Sequence, residues 1–109
     1  MSKSKFNHVK VSGVTAVVPE HFINIDDELE FFNRDIKVLE RNKKILGLGK
    51  RHVADDRTTN NDLCEAAARD LMEDLKIDKD SIDALIMVST SLDYKYPASA
   101  CILQGILDL

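Results

Sequence analysis

The stretch Ala84-Leu85-Ile86-Met87-Val88 is an unbroken apolar run of strand length with no polar residue inside it. A strand of that composition is one buried on both faces, unlike the half-solvated strand that alternates. It therefore demands layers above and below it, and the rest of the sequence must supply helices for them.

Helices are legible on either side. Asn24 or Asp26 can cap a helix starting near Asp27, whose first-turn acids suit the positive end of the dipole. Leu29, Phe32, Ile36 and Leu39 then recur at helical spacing, with a break expected near Asn33. The basic residues Arg41, Lys43 and Lys44 suit a helix C-terminus, and Leu46-Gly47-Leu48-Gly49 reads as its stop. After the polar turn Thr58 to Asn61, Asp62 and Glu65 have the form of a capping box. The helix that follows carries Leu63, Ala67, Leu71 and Leu75 as an apolar stripe flanked by Cys64, Ala68 and Met72. Pro97 can open a last helix, Ala98 to Leu109, with Ile102, Ile106 and Leu109 in register.

An earlier segment, Val9 to Val18, is rich in β-branched residues and stops at Pro19, so a strand is expected there too. The order strand, helices, helix, buried strand, helix predicts an α/β layer protein occupying residues 1–109 as one domain. Two strands, however, make a sheet too small to shield one buried on both faces. Because Gln104 to Leu109 is also largely apolar and carries no polar tail, the expectation is an incomplete layered α/β body.

Composition narrows the function classes. Fifteen basic residues are scattered among 19 acidic ones, giving a net charge of -4, so no nucleic-acid partner is expected. Cys64 and Cys101 form no CxxC pair and have no His at ligand spacing, which suggests neither a disulfide scaffold nor a metal site. The polar start Met1 to Lys5 reads against a signal peptide, and no run approaches the roughly 18 apolar residues of a membrane span. A cytoplasmic protein without a membrane or cofactor requirement is the expectation.

The motifs carry more. Ser89-Thr90-Ser91, a short variable stretch, and then Tyr96-Pro97-Ala98-Ser99-Ala100-Cys101-Ile102-Leu103-Gln104 closely resemble the strand-loop-helix of ketoacyl-acyl-carrier-protein synthase III enzymes. Gly47-Leu48-Gly49-Lys50-Arg51-His52-Val53-Ala54 is similar to that family's G-I-x-x-R-H/R-I/V-A element, and Cys64 to Arg69 matches the helix that follows. Val11 to Val14 and Pro19-Glu20 fit its opening strand and exit. The resemblance runs in order over essentially the whole chain. It implies a partial thiolase-like fold, the N-terminal part of its first half, from an acyltransferase that condenses an acyl thioester with malonyl-acyl-carrier protein by decarboxylative Claisen chemistry.

In that family a Cys nucleophile, a His and an Asn do the work, and the resemblance places all three beyond the residues present here. No catalytic residue is assigned. Cys101 matches a noncatalytic position and is expected to be a buried small hydrophobe; Cys64 is read the same way. His8, His21 and His52 are expected in surface or hydrogen-bonding roles. Arg51 coincides with an arginine of the motif and is a candidate substrate-binding residue at the pantetheine-phosphate entrance, or the partner of Asp55 or Asp56 in an ion pair. Tyr96 is a second candidate substrate-binding residue, and Tyr94, Tyr96 and Pro97 are expected at a homodimer interface, as the resemblance implies. Acyl carrier protein and acyl-CoA are the implied partners. Where CoA-using members carry a Trp and an Arg, this chain has Arg41 and Ile45 and no Trp at all, which leaves room for another acyl donor. A structural or interaction module derived from the fold, and a thiolase-fold synthase of secondary metabolism, are the alternatives.

Overall fold

The structure is a computed structural model that describes residues 3, 5–47 and 49–109. Met1, Ser2 and Ser4 of the polar N-terminus, and Leu48 of the Gly47 to Ala54 motif, lie outside the described residues.

A short antiparallel pair organises the first half. Strand β1, Phe22–Asn24, pairs with β2, Lys50–His52, in the register Phe22↔His52, Ile23↔Arg51 and Asn24↔Lys50. Hydrogen bonds Ile25 N–H to Gly49 C=O and Val53 N–H to His21 C=O, both 3.0 Å, extend the ladder at each end. Lys50 Nζ lies 4.5 Å from the Phe22 ring centroid, and His52 meets the same ring edge-on at 6.3 Å. Sequence reading assigns no strand to either segment, because three residues per strand are too few to show a period.

Between the strands the chain forms a 3-10 helix, Ile25–Phe32, and the helix α1, Ile36–Leu46. Asn24 caps the first, its side chain accepting the Asp26 N–H. Asn33 and Arg34 both take left-handed conformations, φ 54° and 59°, and break the path at the expected place. Asp35 restarts it by accepting the amides of Lys37 and Val38 at 2.9 and 3.3 Å. Gly47, at φ 67°, ends α1 in the conformation that favours glycine.

Helix α2, Asn60–Asp74, is capped one turn earlier than expected. Thr59 and Asp62 form the reciprocal box, with Thr59 Oγ1 accepting the Asp62 amide and Asp62 Oδ2 accepting the Thr59 amide at 2.7 Å. The Asp62 to Glu65 pairing is thereby corrected: Asp62 is the third residue of the helix, not its cap. A 3-10 turn, Lys79–Ser81, follows, capped by Asp78. Helix α3, Ser99–Leu107, packs on α2, and Arg69 donates to the Ile106 carbonyl at 3.0 Å. Its buried stripe is Ser99, Leu103 and Leu107, one position on from the expected Ile102 and Ile106; Ile106 is exposed.

The two expected strands differ most from the structure. Neither Val9 to Val18 nor Ala84 to Val88 is paired in a ladder, and among the described residues no backbone hydrogen bond holds either segment. Both nevertheless alternate in burial. Gly13, Thr15 and Val17 are half-buried while Val14, Ala16 and Val18 face solvent; Leu85 and Met87 are half-buried while Ile86 and Val88 stand 84% and 91% exposed. A strand buried on both faces is thus covered on only one. Among the described residues, Ile25, Leu39, Leu103 and Leu107 are the buried apolar ones. The radius of gyration is 18.8 Å, against about 13 Å for a compact domain of this length, so these residues do not close a core around themselves.

Candidate functional site

The β1–β2 pair places Arg51 beside the 3-10 helix. Its guanidinium grips Glu28 in a two-point pair, Nε to Oε2 at 3.1 Å and Nη2 to Oε1 closer still. The Glu28 side chain is 13% exposed and that of Arg51 51%, so the acid forms the floor and the guanidinium the rim. The hydrogen bonds to Glu28, reinforced by its charge, raise the Arg51 pKa above its ordinary value. A hollow of about 360 Å³ opens against this pair, lined also by Ile25, Phe31, Phe32 and Lys50. The expected partners, Asp55 and Asp56, are not used. Asp55 instead closes its own turn, accepting from the Thr58 hydroxyl at 2.6 Å, the Thr58 amide at 2.7 Å and the Arg57 amide at 3.1 Å. Those bonds, the Thr58 hydroxyl first, hold its carboxyl below the usual carboxylate range.

Across the ribbon lies a wider cleft of about 840 Å³, between Pro19 to Phe22 on one side and Val53, Asp55, Thr58 and Leu63 on the other. His52 secures one wall, its Nδ1 standing 2.6 Å from the Pro19 carbonyl that accepts its proton. His8 and His21 are exposed, with His8 at φ 64°.

The loop before α3 is tied to the start of α2. Asp93 accepts the amides of Asn60 and Asn61, and Asn60 Nδ2 donates to Ser89 Oγ at 3.0 Å. Tyr94, Tyr96 and Pro97 project from this anchored loop into solvent; Tyr96 is 90% exposed. None of the three lines the hollow beside Arg51, so the two candidate substrate-binding residues do not share one cavity. Cys101 is exposed, which corrects its reading as a buried hydrophobe: Leu103 and Leu107 take the inner face of α3 and turn Cys101 outward. Cys64 is half-buried. Glu28 and Asp93 escape sequence reading, because their partners lie 23 and 32 to 33 positions away and neither belongs to a local pattern. Among the described residues no three metal-ligating side chains gather, and no helix is long and apolar enough to cross a membrane.

No protein-family model matches the chain. Individual proteins do. The chain is 48% identical over 108 residues to a putative 3-oxoacyl-[acyl-carrier-protein] synthase 3 of Campylobacter jejuni, covering 98% of this chain and 31% of that protein. It is 34% identical over 103 residues to a beta-ketoacyl-[acyl-carrier-protein] synthase III of Thioalkalivibrio sulfidiphilus, covering 94% of this chain and again 31% of the relative. The crystal structure of a 3-oxoacyl-(acyl-carrier protein) synthase from Burkholderia xenovorans superimposes with a TM-score of 0.78 and 39% identity, covering 89% of this chain and 27% of that one.

The fold is thus part of a thiolase-type condensing enzyme. Over nearly its whole length the chain matches one part of 3-oxoacyl-[acyl-carrier-protein] synthase III proteins, and it spans about three-tenths of the length of the relatives it matches.

Proposed function

We propose that this chain is the N-terminal segment of an acyltransferase that condenses an acyl thioester with malonyl-acyl-carrier protein, acting as a homodimer in the cytoplasm. The observation that carries the reading is the 48% identity to the Campylobacter jejuni protein over nearly the full chain. In the reaction a Cys thiolate displaces the thiol of the acyl donor, acyl-CoA or another thioester, and becomes acylated. Loss of CO2 from the malonyl group leaves a carbanion, which attacks the acyl carbonyl and expels the thiolate. None of these bonds is assigned to a residue of this chain.

Its share of the work is architectural. The Arg51–Glu28 pair fixes the ribbon against the 3-10 helix, and Arg51 lines the hollow, where a guanidinium suits an anionic substrate group. Tyr94, Tyr96 and Pro97, exposed on an anchored loop, suit contact with a second copy and, through Tyr96, the rim of its acyl pocket. A chimera tests the reading: the matching segment of the Campylobacter jejuni protein is replaced by this chain. Formation of 3-oxoacyl-carrier protein from malonyl-carrier protein by a folded chimera is the expected result. A folded chimera that releases no CO2 and forms no product overturns it.

A further inference from the structure

Helix α3 carries no basic residue in its last turn, so its own sequence supplies no cation for the carbonyls that a helix end leaves open. The chain closes two of them locally. Gln104 C=O accepts the Leu109 N–H at 3.1 Å and Gly105 C=O the Asp108 N–H at 3.3 Å, with Asp108 turning the chain at φ 57°. The Ile106 carbonyl is served from another element. Arg69 of α2, 37 positions away, donates to it through Nη2 at 3.0 Å, while Nε of the same guanidinium donates to Glu65 Oε1 at 2.8 Å. A planar guanidinium held at one nitrogen has its other donors fixed in direction, so Glu65 aims Arg69 at the carbonyl.

The same helix holds the other side of α3. The Asn60 and Asn61 amides at the start of α2 donate to Asp93, in the loop that leads into α3, so start meets start and Arg69 meets Ile106. The two helices therefore run side by side in the same direction, and α3 is clamped to α2 before it begins and where it ends. Lys79 adds a contact to Asp108, but it ends on a carboxylate that is 86% exposed and leaves the helix carbonyls untouched, so solvent screens it to little effect. In the proposed reaction the nucleophilic cysteine lies beyond Leu109. The direction in which the chain leaves α3 then sets where the sulfur stands, and a misplacement of about 1 Å suffices to cost a reaction up to about a hundredfold. We propose that Arg69, oriented by Glu65, is a positioning residue of the condensation: it fixes the end of α3 and through it the place of the nucleophile. This role rests on the functional reading above, and Arg69 touches no reacting group in it.

The chimera described above carries the test, with rates taken per folded molecule by circular dichroism. Arg69→Met is expected to lower kcat about tenfold while KM for malonyl-acyl-carrier protein stays within about twofold, since the nucleophile shifts and the capture of the second substrate does not. Arg69→Lys is expected to recover about threefold of that loss, because an ammonium still reaches the carbonyl but without the aim that Glu65 gives a guanidinium. Glu65→Gln is expected to lower kcat about threefold alone and to add nothing to Arg69→Met, as two residues acting through one bond should. Lys79→Met is expected to leave kcat within about twofold. Should Arg69→Met not fold, Arg69→Gln takes its place. An unchanged kcat in the neutral variant, no recovery in Arg69→Lys, or an equal loss in Lys79→Met overturns the proposal. So does failure of both neutral variants to fold, which would make Arg69 a residue of stability alone. An unaltered chimera that folds and forms no product removes the enzyme reading and this role together, whereas an active chimera indifferent to Arg69 removes only the role.

Discussion

The carboxylate of Asp93 spans the first two amides of α2: Oδ1 accepts the Asn60 N–H at 3.2 Å and Oδ2 the Asn61 N–H at 2.9 Å. One side chain thereby satisfies two donors that a helix start leaves without intrahelical acceptors, and ties the Tyr94 to Pro97 loop to that start. Asp93→Ala is expected to cost about 1–2 kcal/mol in urea denaturation, with Asp93→Asn recovering part of it. A loss no larger than that of an ordinary surface substitution would show that the loop is not anchored there.

The cap of α2 should be acid-labile. Amide and then hydroxyl bonds from Thr59 hold the Asp62 carboxyl below its ordinary 3.8. A carboxylate with a depressed folded pKa stabilises the protein above its unfolded pKa, and that contribution fades as pH falls through the folded value. Helicity at 222 nm should therefore begin to fall below about pH 4, and Asp62→Asn should flatten that part of the curve. An identical acid profile in the variant would remove Asp62 from the account.

Gly13 is read from space, not from torsion. A Cβ there would stand 2.6 Å from Leu75 Cδ1 and 3.0 Å from Leu71 Cδ1, so the leucine ends must move. Gly13→Ala is expected to destabilise by about 1 kcal/mol. In a Leu75→Ala background the same change should turn neutral or favourable, because the reduced freedom of the unfolded chain then dominates. Additive effects in the double-mutant cycle would mean that the Val9 to Val18 segment does not lie on α2.

Ser99 is buried at the start of α3, and its hydroxyl has no hydrogen-bond partner among the described residues. Ser99→Ala removes that group and favours the helix, so a gain of about 1 kcal/mol is expected in thermal or denaturant unfolding. A loss instead would reveal an acceptor that the hydroxyl reaches in solution.

Local signals made most of the helical framework legible. The breaks at Asn33 and Gly47 and the half-buried Leu63, Ala67 and Leu71 of α2 follow from residue chemistry within one or two turns, whereas Leu75, expected in the same stripe, caps the end of α2 and is exposed. Asp62 is a common cap residue and draws the expected start of α2 to itself, while the reciprocal bonds show Thr59 filling that role. The run Ala84 to Val88 announces a strand, yet pairing is a long-range property and these residues contain no partner for it. Arg51 stood out through its motif, but its acid could not be chosen by proximity: Asp55 and Asp56 are nearer in sequence, and Glu28 is nearer in space because β1 and β2 fold together. Cys101 stands off the buried side of α3, since that inner face belongs to Leu103 and Leu107.

The unladdered segments have a kinetic meaning. With no backbone carbonyl among the described residues to hold them, the amides of Val9 to Val18 and Ala84 to Val88 should take up deuterium in seconds, while those inside α2 are retarded. In any larger assembly that adds strands along Ile86 and Val88, the same amides would become slow. Their exchange is a clock for the moment at which the sheet closes, readable residue by residue without an assay of catalysis.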